Sequence, residues 1–321
     1  MHSFQELSQL FEEKFNIRHF PNAPVSLYDP SQYILSLGGK RIRPVMCLMG
    51  NELVSNINPD TWHVATAIEL FHNFTLIHDD IMDKAPLRRG METVHNKFGE
   101  STALLAGDVM LVVAYDYVNK INKDYLQKVM RLFNKTAKEV CEGQQLDMDF
   151  EKKEKVSFDE YLTMIELKTS VALAASLQLG AILGGAGEGN QKHLYEFGRN
   201  LGIAFQIQDD YLDAFGDPEK FGKQVGGDIS SNKKTFLSIH AMEVATEKQF
   251  KELTDLNNGN KISKVEKTLE IYKSTNADAW ATELKEKYYK TAIHHLEEIT
   301  VLSARKKPLM ELAEYLINRE H

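Results

Sequence analysis

The sequence predicts an all-α protein in which long helices pack as an antiparallel bundle. Apolar residues recur with helical spacing along most of the 321 residues, and the alternation typical of strands is hard to find. Only eight prolines occur, mostly in loops or where helices would begin. Several helical segments exceed the usual length of about 11–12 residues and are joined by short loops, which favours antiparallel packing. No low-complexity linker or change of composition divides the chain, so we expect a single domain over residues 1–321.

This periodicity places the helices in chain order. We predict helices over residues 3–15, 30–37, 40–56, 60–83, 92–119, 123–150, 157–186, 189–215, 234–244, 246–255, 262–274, 277–299 and 303–319. The apolar run at 171–187 is interrupted by Gln178 and by glycines, and it falls short of the about 20 apolar residues that a membrane span needs. We therefore expect a buried helix there and no membrane span.

Residues 214–235 have the composition of a long loop that directly follows an acidic cluster. Gly222 and Gly226 lie in this stretch, and Lys223 and Lys233 lie near them. Loops beside binding sites often close over ligands. We predict a flap that faces a phosphate group, with an ordinary glycine-rich connection as the alternative.

The charge and the cysteine content exclude some classes of protein. The net charge of −8 argues against general nucleic-acid binding, which needs a basic surface. Because the only cysteines are Cys47 and Cys141, we expect no disulfide framework, and a reducing compartment fits. The first residues lack a basic region followed by an apolar stretch, so we expect no signal peptide and a cytoplasmic protein.

Two acidic clusters with identical spacing are the most informative motifs in the chain. The pattern Asp-Asp-x-x-Asp begins at Asp79 and again at Asp209. The first and last Asp of each motif, Asp79 with Asp83 and Asp209 with Asp213, would project from one face of a helix. Such neighbours repel unless a cation lies among them, and Mg²⁺ takes oxygen ligands together with water and substrate phosphates. We therefore predict that the two motifs hold Mg²⁺ and a diphosphate.

A solvated acidic helix face is the alternative to a metal site. A single motif of this kind would favour that alternative. Here both copies lie within apolar sequence, where unpaired carboxylates would be costly to bury. The repetition therefore favours metal binding.

Three basic segments indicate further anion binding. The run Gly38–Arg43 joins two glycines to basic residues at a predicted helix start, where free backbone N–H groups point outward. Arg88 and Arg89 follow the first acidic motif, and Arg is a good bidentate ligand of phosphate. Lys168 lies in an apolar helix, where an unpaired ammonium group would be costly. Basic turns that simply face solvent are the alternative for each segment taken alone.

Taken together, these motifs resemble those of the trans-isoprenyl diphosphate synthases, also called the polyprenyl synthetase family, and they occur in the family's order. The resemblance rests on Gly38-Gly39-Lys40-Arg41-Ile42-Arg43-Pro44, Asp79 to Asp83, Arg88-Arg89-Gly90, Gly143-Gln144-Gln145-Leu146-Asp147, Lys168-Thr169, Phe205 to Asp213, and Gly222 to Asp228 followed by Lys233. It implies an isoprenoid synthase fold with a deep central cavity, built as a homodimer. It also implies a Mg²⁺-dependent 1′-4 condensation of isopentenyl diphosphate with an allylic diphosphate (dimethylallyl, geranyl or farnesyl).

The resemblance further implies a role for each matching residue. About three Mg²⁺ ions, which Mn²⁺ could replace, would be bound by Asp79, Asp83 and Asp209, with Asp80 and Asp213 as supporting carboxylates. Isopentenyl diphosphate would be held by Gly39, Lys40, Arg43, His72 and Arg89. The allylic diphosphate would be faced by Arg88, Lys168, Thr169, Gln206, Lys223 and Lys233. The catalytic residues would be Lys168, Thr169 and Gln206, of which Thr169 and Gln206 would turn oxygen atoms towards a carbocation.

His72 needs separate consideration, because a lone histidine on an apolar face is usually a structural residue. It lies seven residues, or about two helical turns, before Asp79 on the same face. The resemblance places a ligand of isopentenyl diphosphate at this position. His78 has no matching role, and we expect it to be structural.

The residues before the first acidic motif bear on product length. Phe74 lies five residues, or about 7.5 Å along a helix, before Asp79, and Phe71 lies one turn deeper. The resemblance implies that a large side chain at Phe74 with a small neighbour, Thr75, is typical of synthases that stop near C20. Members that form C15 often carry a second aromatic residue or an insertion that this chain lacks. We therefore favour C20 over C15, with plain core packing of Phe74 as the alternative.

Two other functions compete with this interpretation. A class I terpene cyclase shares the fold, but it needs no site for isopentenyl diphosphate and its second metal motif is typically of the Asn/Ser/Glu type. A non-catalytic regulatory subunit of a prenyl synthase usually lacks one acidic motif. The two Asp-Asp-x-x-Asp motifs and the basic residues Lys40, Arg43 and Arg89 disfavour both alternatives.

Overall fold

The computed structural model of the chain describes residues 1–216, 225–258 and 264–318, and most of these residues are helical. The α-helices are α1 (Phe4–Phe15), α2 (Val25–Ser36), α3 (Ile42–Glu52), α4 (Pro59–Met82), α5 (Val94–Phe98), α6 (Glu100–Val118), α7 (Lys123–Lys152), α8 (Phe158–Ile165), α9 (Val171–Leu183), α10 (Glu188–Phe215), α11 (Gly227–Ser230), α12 (Phe236–Val244), α13 (Glu247–Asn258), α14 (Lys264–Ser274), α15 (Ala277–Glu297) and α16 (Ser303–Asn318). A π-helical turn, Glu166–Ser170, separates α8 from α9. A hairpin pairs β1 (Leu87–Arg88) with β2 (Met91–Glu92) in antiparallel fashion.

The all-α class is confirmed, but several predicted helix boundaries are wrong, and three of them are informative. The predicted helix over 92–119 is broken at Gly99, whose φ of 88° is not helical, and its first residue belongs to the hairpin. The predicted helix over 157–186 is interrupted by the π-helical turn, which the prediction missed because apolar periodicity does not reveal a change in helical pitch. Helix α2 begins five residues before the predicted start. The prediction placed Pro30 at the start of the helix, whereas it lies inside.

Side-chain caps explain several helix starts. Ser3 accepts from the backbone N–H of Glu6 while the Glu6 carboxylate accepts from Ser3, which forms a capping box at α1. Ser157 and Glu160 form the same arrangement at α8. At α4, Pro59 occupies the first helical position, where its missing N–H costs nothing.

Contacts between residues divide the chain into two compact units. The first unit consists of Met1–Lys135, Ala175–Leu194 and Ile299–Leu309. The second unit consists of Thr136–Ala174, Tyr195–Glu298 and Met310–His321. The expectation of a single domain stays a prediction.

In the first unit, α4 is the central helix and packs against α3 and α6. Close backbone approach positions α3 against α9 in the same unit. A Cβ atom at Gly50 would collide with the Leu177 carbonyl oxygen, and one at Gly180 would collide with the Cys47 carbonyl oxygen. Glycine at these two positions therefore brings the helices into contact through their backbones.

In the second unit, aromatic side chains form the centre of the core. Tyr161 of α8 and Phe236 of α12 are fully buried, with ring centroids 4.7 Å apart in an edge-to-face arrangement. Trp280 of α15 packs on Phe158 at 5.6 Å and stacks on His240 at 4.3 Å. These contacts tie α8, α12 and α15 together around the residues that precede the π-helical turn.

Within residues 1–216, 225–258 and 264–318, two helical segments are long and apolar enough to cross a membrane. The segment Phe158–Leu183 has 72% of its most apolar window buried, as in the core helix of a folded domain, and it includes the apolar run for which a buried helix was predicted. The helix Glu100–Val118 has only 33% of its window buried. Its outer surface therefore presents apolar side chains, which include Leu105 and Val112.

Candidate functional site

The first acidic motif lies at the C-terminal end of α4 and exposes two of its three carboxylates. Asp79 is half-buried, Asp83 is exposed, and the Asp83 N–H donates to the Asp79 carbonyl oxygen at 2.8 Å. The middle residue, Asp80, is only 2% exposed. The two accessible carboxylates are the pair that the sequence predicts as metal ligands, and they stand one helical turn apart.

The buried Asp80 is held by the arginine of the following hairpin. Arg88 Nε donates to Asp80 Oδ2 at 2.8 Å, and Arg88 Nη2 donates to Asp80 Oδ1 at 2.7 Å. This fork-to-fork geometry is the strongest form of an arginine–carboxylate contact. Arg88 therefore has two of its donors committed to the acidic motif, and the hairpin is fixed to the end of α4.

The second acidic motif, at the C-terminal end of α10, repeats this division. Asp209 and Asp213 are half-buried, and the middle residue, Asp210, is only 4% exposed. Asp210 Oδ2 accepts from the Tyr161 hydroxyl at 2.9 Å, and Asp210 Oδ1 accepts from Gln206 Nε2 at 3.0 Å. Burial raises the pKa of Asp210 to about 6, and the nearby Asp228 carboxylate adds to this effect. Sequence reasoning gave Asp210 no role, because the motif alone does not tell which carboxylate faces inward.

Asp213 supports the chain that follows the second motif. Its Oδ2 accepts from the Asp228 N–H at 3.0 Å, and its carbonyl oxygen accepts from the Gly226 N–H at 2.7 Å. The Lys233 ammonium lies 3.9 Å from Asp228 Oδ1. Asp213 thus fixes a turn whose next basic residue is one of the predicted diphosphate ligands. Lys223, the other predicted ligand in this stretch, lies outside the described residues.

The donor set of the two motifs fits a hard divalent cation. Across residues 1–216, 225–258 and 264–318, no group of three or more His, Cys, Asp and Glu side chains is placed to hold a metal ion. Mg²⁺ commonly takes one or two carboxylates and completes its shell with water and substrate phosphates. The accessible carboxylates of Asp79 and Asp83 in the first unit, and that of Asp209 in the second, are each oxygen donors of the kind that this ion takes.

The predicted anion-binding turn before α3 has an unusual backbone. Gly38, Gly39 and Arg41 have φ values of 75°, 146° and 49°. Arg89 Nη1 donates to the Gly38 carbonyl oxygen, and a Cβ at Gly39 would lie 2.8 Å from Arg89 Nη2. Glycine at 39 therefore allows the Arg89 guanidinium to lie against the backbone beside the exposed Lys40.

Arg41 anchors this turn through a buried ion-pair network that sequence reasoning missed. Arg41 Nη1 donates to Glu69 Oε1 at 2.5 Å, and Arg41 Nε donates to Glu12 Oε1 at 2.6 Å. A third donor reaches the Leu35 carbonyl oxygen at 3.1 Å. Burial alone would lower the pKa of Arg41, but attraction to Glu69 and Glu12 outweighs it and raises the pKa. Arg41 thus joins α1, α2 and α4, and the signal available in the sequence was the buried Glu69 in an apolar stretch of α4.

His72 and Arg43 lie together beside this turn. Arg43 Nη1 lies 3.2 Å from His72 Nε2. Burial holds the pKa of His72 well below its usual range, and repulsion from Arg43, Arg89, Arg88 and Arg41 lowers it further. The imidazole is therefore neutral, and because a guanidinium only donates, His72 Nε2 accepts and the ring proton lies on Nδ1.

The cationic cluster formed by Arg41, Arg43, Arg88 and Arg89 is electrostatically suited to an anion. Burial lowers the pKa of Arg43 and of Arg89, and among the described residues Glu69 is the acidic group that attracts Arg43. Glu69 already pairs with Arg41, and Asp80 already pairs with Arg88. An added diphosphate would therefore relieve the repulsion within this cluster.

The π-helical turn positions Lys168 and Thr169 in the second unit. The Lys168 ammonium contacts Asp147 Oδ2 at 2.5 Å, and both side chains are partly exposed. A Cβ at Gly143 would collide with the Lys168 backbone nitrogen, and one at Gly202 would lie 2.8 Å from the Ser170 Cα. Helices α7 and α10 thus approach the π-helical turn through glycines, and such turns occur frequently at functional sites. The Gly-Gln-x-x-Asp element supplies both Gly143 and the partner of Lys168.

The residues predicted to set product length lie on α4 in the first unit. Phe74 is 9% exposed, and its ring lies 5.8 Å from that of Phe71 and 4.8 Å from that of His78. His78 Nε2 contacts the Leu104 carbonyl oxygen at 3.1 Å, which gives this histidine a structural position. The Thr75 hydroxyl donates to the His72 carbonyl oxygen at 2.8 Å. Phe74 is therefore an immobilised aromatic residue rather than a loosely held one.

Lys233 and Lys234 also line a cavity within the second unit. Lys155 contributes a third ammonium group, and the remaining lining mixes apolar side chains with polar ones, which include the carboxylates of Glu154 and Glu243. The hydroxyl of Thr268, which is buried there, has no hydrogen-bond partner among the described residues. This cavity contains none of the residues of the two acidic motifs.

Comparison with known proteins gives consistent matches along the chain. A family model described as polyprenyl synthetase matches residues 24–275. The geranylgeranyl diphosphate synthase of Methanosarcina mazei is 40% identical over 308 residues, which cover 93% of this chain and 91% of that protein.

Solved structures match over nearly the whole length. The geranylgeranyl pyrophosphate synthetase of Pyrococcus horikoshii is 36% identical with a TM-score of 0.93, covering 98% of both chains. A polyprenyl synthase of Caulobacter crescentus, complexed with calcium and isoprenyl diphosphate, is 25% identical with a TM-score of 0.86, covering 99% of this chain and 98% of that one.

Proposed function

This chain belongs to the polyprenyl synthetase family and is a short-chain prenyltransferase with the all-α isoprenoid synthase fold, and we propose that its product is the C20 compound geranylgeranyl diphosphate. The observation that carries the reaction class is the pair of acidic motifs, each with accessible outer carboxylates and a buried middle one, and the buried ring of Phe74 supports the proposed product length. The family uses a divalent metal. We propose that this metal is Mg²⁺, about three ions held with water and diphosphate oxygens by Asp79, Asp83 and Asp209. The calcium- and diphosphate-bound Caulobacter crescentus relative supports a site of this kind.

The basic residues divide between two diphosphates in this proposal. Isopentenyl diphosphate would lie against the turn before α3, bound by Gly39, Lys40, Arg43, His72 and Arg89. The cluster of guanidinium groups around a neutral His72 supports this assignment, because it lacks enough carboxylates to balance its charge. The allylic diphosphate would be bound by Arg88, Lys168, Thr169, Gln206 and Lys233, with Lys223 retained as a sequence prediction.

The reaction begins when the allylic C–O bond breaks and both electrons leave with the diphosphate. Bound Mg²⁺ would supply neutralisation of the negative charge that develops on the leaving group. Arg88 and Lys233 would add donors to the same oxygens. The Thr169 oxygen atoms and the Gln206 amide oxygen would orient negative dipoles towards the allylic cation.

Bond formation follows from the second substrate. The double bond of isopentenyl diphosphate donates its electron pair to C1 of the allylic cation, which leaves a tertiary cation at C3. Loss of a proton from C2 restores a double bond. None of the assigned residues that the structure describes has a side chain that is an obvious base, so the released diphosphate would accept this proton.

A homodimer completes the proposal, and the outer face of α6 supports it. Leu104, Leu105 and Val112 are 49%, 57% and 58% exposed on this helix. Asp108 and Asp116 are exposed on the same side, and carboxylates at these positions oppose burial in lipid. A second copy of the chain, rather than a membrane, would therefore cover the face. Cys47 and Cys141 are not joined in a disulfide, which fits a cytoplasmic location.

The reaction class is tested by incubating the purified protein with Mg²⁺, labelled isopentenyl diphosphate and farnesyl diphosphate. The wild type should form a labelled C20 diphosphate, and Asp209→Ala should lose about a thousandfold or more of this rate because the metal loses a ligand. Asp255→Ala, which removes an exposed carboxylate from α13, should match the wild type. A cyclised hydrocarbon, or no incorporation of label, would contradict the proposal and favour a cyclase or a regulatory subunit.

Product length is tested by Phe74→Ala. Removal of the ring should lengthen the main product by at least one five-carbon unit, as read from chromatography of the dephosphorylated alcohols. Phe11→Ala removes a buried ring from α1 and should leave the length distribution unchanged. An unchanged distribution for Phe74→Ala would show that Phe74 does not limit the length of the product.

The homodimer is tested by analytical ultracentrifugation without detergent. The wild type should sediment with twice the 36.6 kDa mass of one chain, and Leu105→Glu should shift it towards the monomer because a charge enters the apolar face. Lys128→Glu, an exposed change on α7, provides the control. A monomeric wild type, or one that requires detergent, would remove this part of the proposal.

A further inference from the structure

The Gln206 side chain is held at one end only. Its Nε2 donates to Asp210 Oδ1 at 3.0 Å, across one turn of α10. Within the part of the chain that the structure describes, no hydrogen bond reaches Gln206 Oε1. The amide is thus anchored through its nitrogen, with its oxygen available.

The anchor determines which way the amide dipole points. A carboxylate oxygen only accepts hydrogen bonds, so the NH₂ group of Gln206 must face Asp210. The amide oxygen is then directed to the opposite side. A neutral residue at position 210 that could both donate and accept would allow either orientation.

Asp210 can impose this direction because it is itself immobilised. The Tyr161 hydroxyl donates to Asp210 Oδ2 at 2.9 Å, and the Phe236 N–H approaches the same oxygen at 3.4 Å. Tyr161 is only 1% exposed, and its ring packs edge-to-face on that of Phe236. The second carboxylate oxygen is therefore fixed by the core, which leaves the first one facing Gln206.

We propose that Tyr161 and Asp210 are positioning residues that lock the Gln206 amide with its oxygen outward, ready to stabilise the allylic cation. This inference rests on the proposed function. A dipole that is set before the reaction needs no reorganisation as the cation forms, and such preorganisation stabilises a transition state more than a freely rotating amide does. Tyr161 acts from the core, without touching either substrate.

A double-mutant cycle on kcat tests the proposal. Tyr161→Phe removes one hydroxyl and should lower kcat by about tenfold, with the KM for the allylic diphosphate little changed. Gln206→Ala should lower kcat by at least as much. In the Gln206→Ala background, Tyr161→Phe should cause less than about a twofold further loss, because the residue through which it acts is gone.

Two further variants separate positioning from structural damage. Tyr272→Phe removes the hydroxyl of another fully buried tyrosine of the second unit, one hydrogen-bonded to Ser238, and should leave kcat near the wild-type value. Asp210→Asn keeps the shape at 210 but can present either an N–H or an oxygen to Gln206. Like Tyr161→Phe, it should lower kcat in the wild-type background and cause little further loss in the Gln206→Ala background.

The outcomes distinguish the proposal from the function on which it rests. A wild type that does not join the two substrates would refute the function itself. An active wild type in which the Tyr161→Phe and Gln206→Ala losses multiply, or in which Tyr161→Phe and Asp210→Asn leave kcat unchanged, would overturn the positioning role alone.

Discussion

In each Asp-Asp-x-x-Asp motif the second carboxylate is buried and hydrogen-bonded to a side chain outside the motif, and the rest of the site depends on this interaction. Successive residues of a helix point about 100° apart, so the second Asp of each motif projects away from the first. In this protein that middle residue turns inward, where burial requires a partner. Asp80 finds it in Arg88 and Asp210 finds it in Tyr161. The partners fix the ends of the two helices, and the outer carboxylates remain accessible for metal.

The basic residues of the first unit show a similar division, between a buried residue that is paired within the fold and residues whose charge is only partly balanced. Arg41 forms ion pairs with both Glu12 and Glu69 and supports the turn before α3, whereas the charges of Arg43 and Arg89 are only partly balanced. Breaking a buried pair leaves an uncompensated charge, which is far costlier than losing an exposed one. Each of these predicted site residues thus stands close in sequence to a charged residue that is buried and hydrogen-bonded within the fold.

The sequence was sufficient for the all-α class, for most helices and for the two acidic motifs, since helical periodicity and motif spacing are local properties. It was insufficient where contacts between residues distant in sequence determine which side chain is buried or where a helix changes pitch. Nothing local distinguishes Asp80 from Asp79, because the difference arises from Arg88 across a hairpin of two-residue strands too short to show alternation. Arg41 lies in a run of basic residues, and its burial depends on ion pairs with Glu12 and Glu69, which are distant in sequence. The π-helical turn at Lys168 depends on Gly143 and Gly202 from other helices.

The division of each motif into a buried and an accessible part is tested most directly by thermal unfolding with and without Mg²⁺ plus inorganic diphosphate. Asp79→Asn should melt like the wild type without these ligands but lose the rise in Tm that they produce. Asp80→Asn should melt several degrees lower in their absence, because a buried pair is weakened at a cost of about 3 kcal/mol, yet should retain a ligand-induced rise. The reverse pattern, with Asp79→Asn destabilised and Asp80→Asn unable to respond to the ligands, would contradict the account.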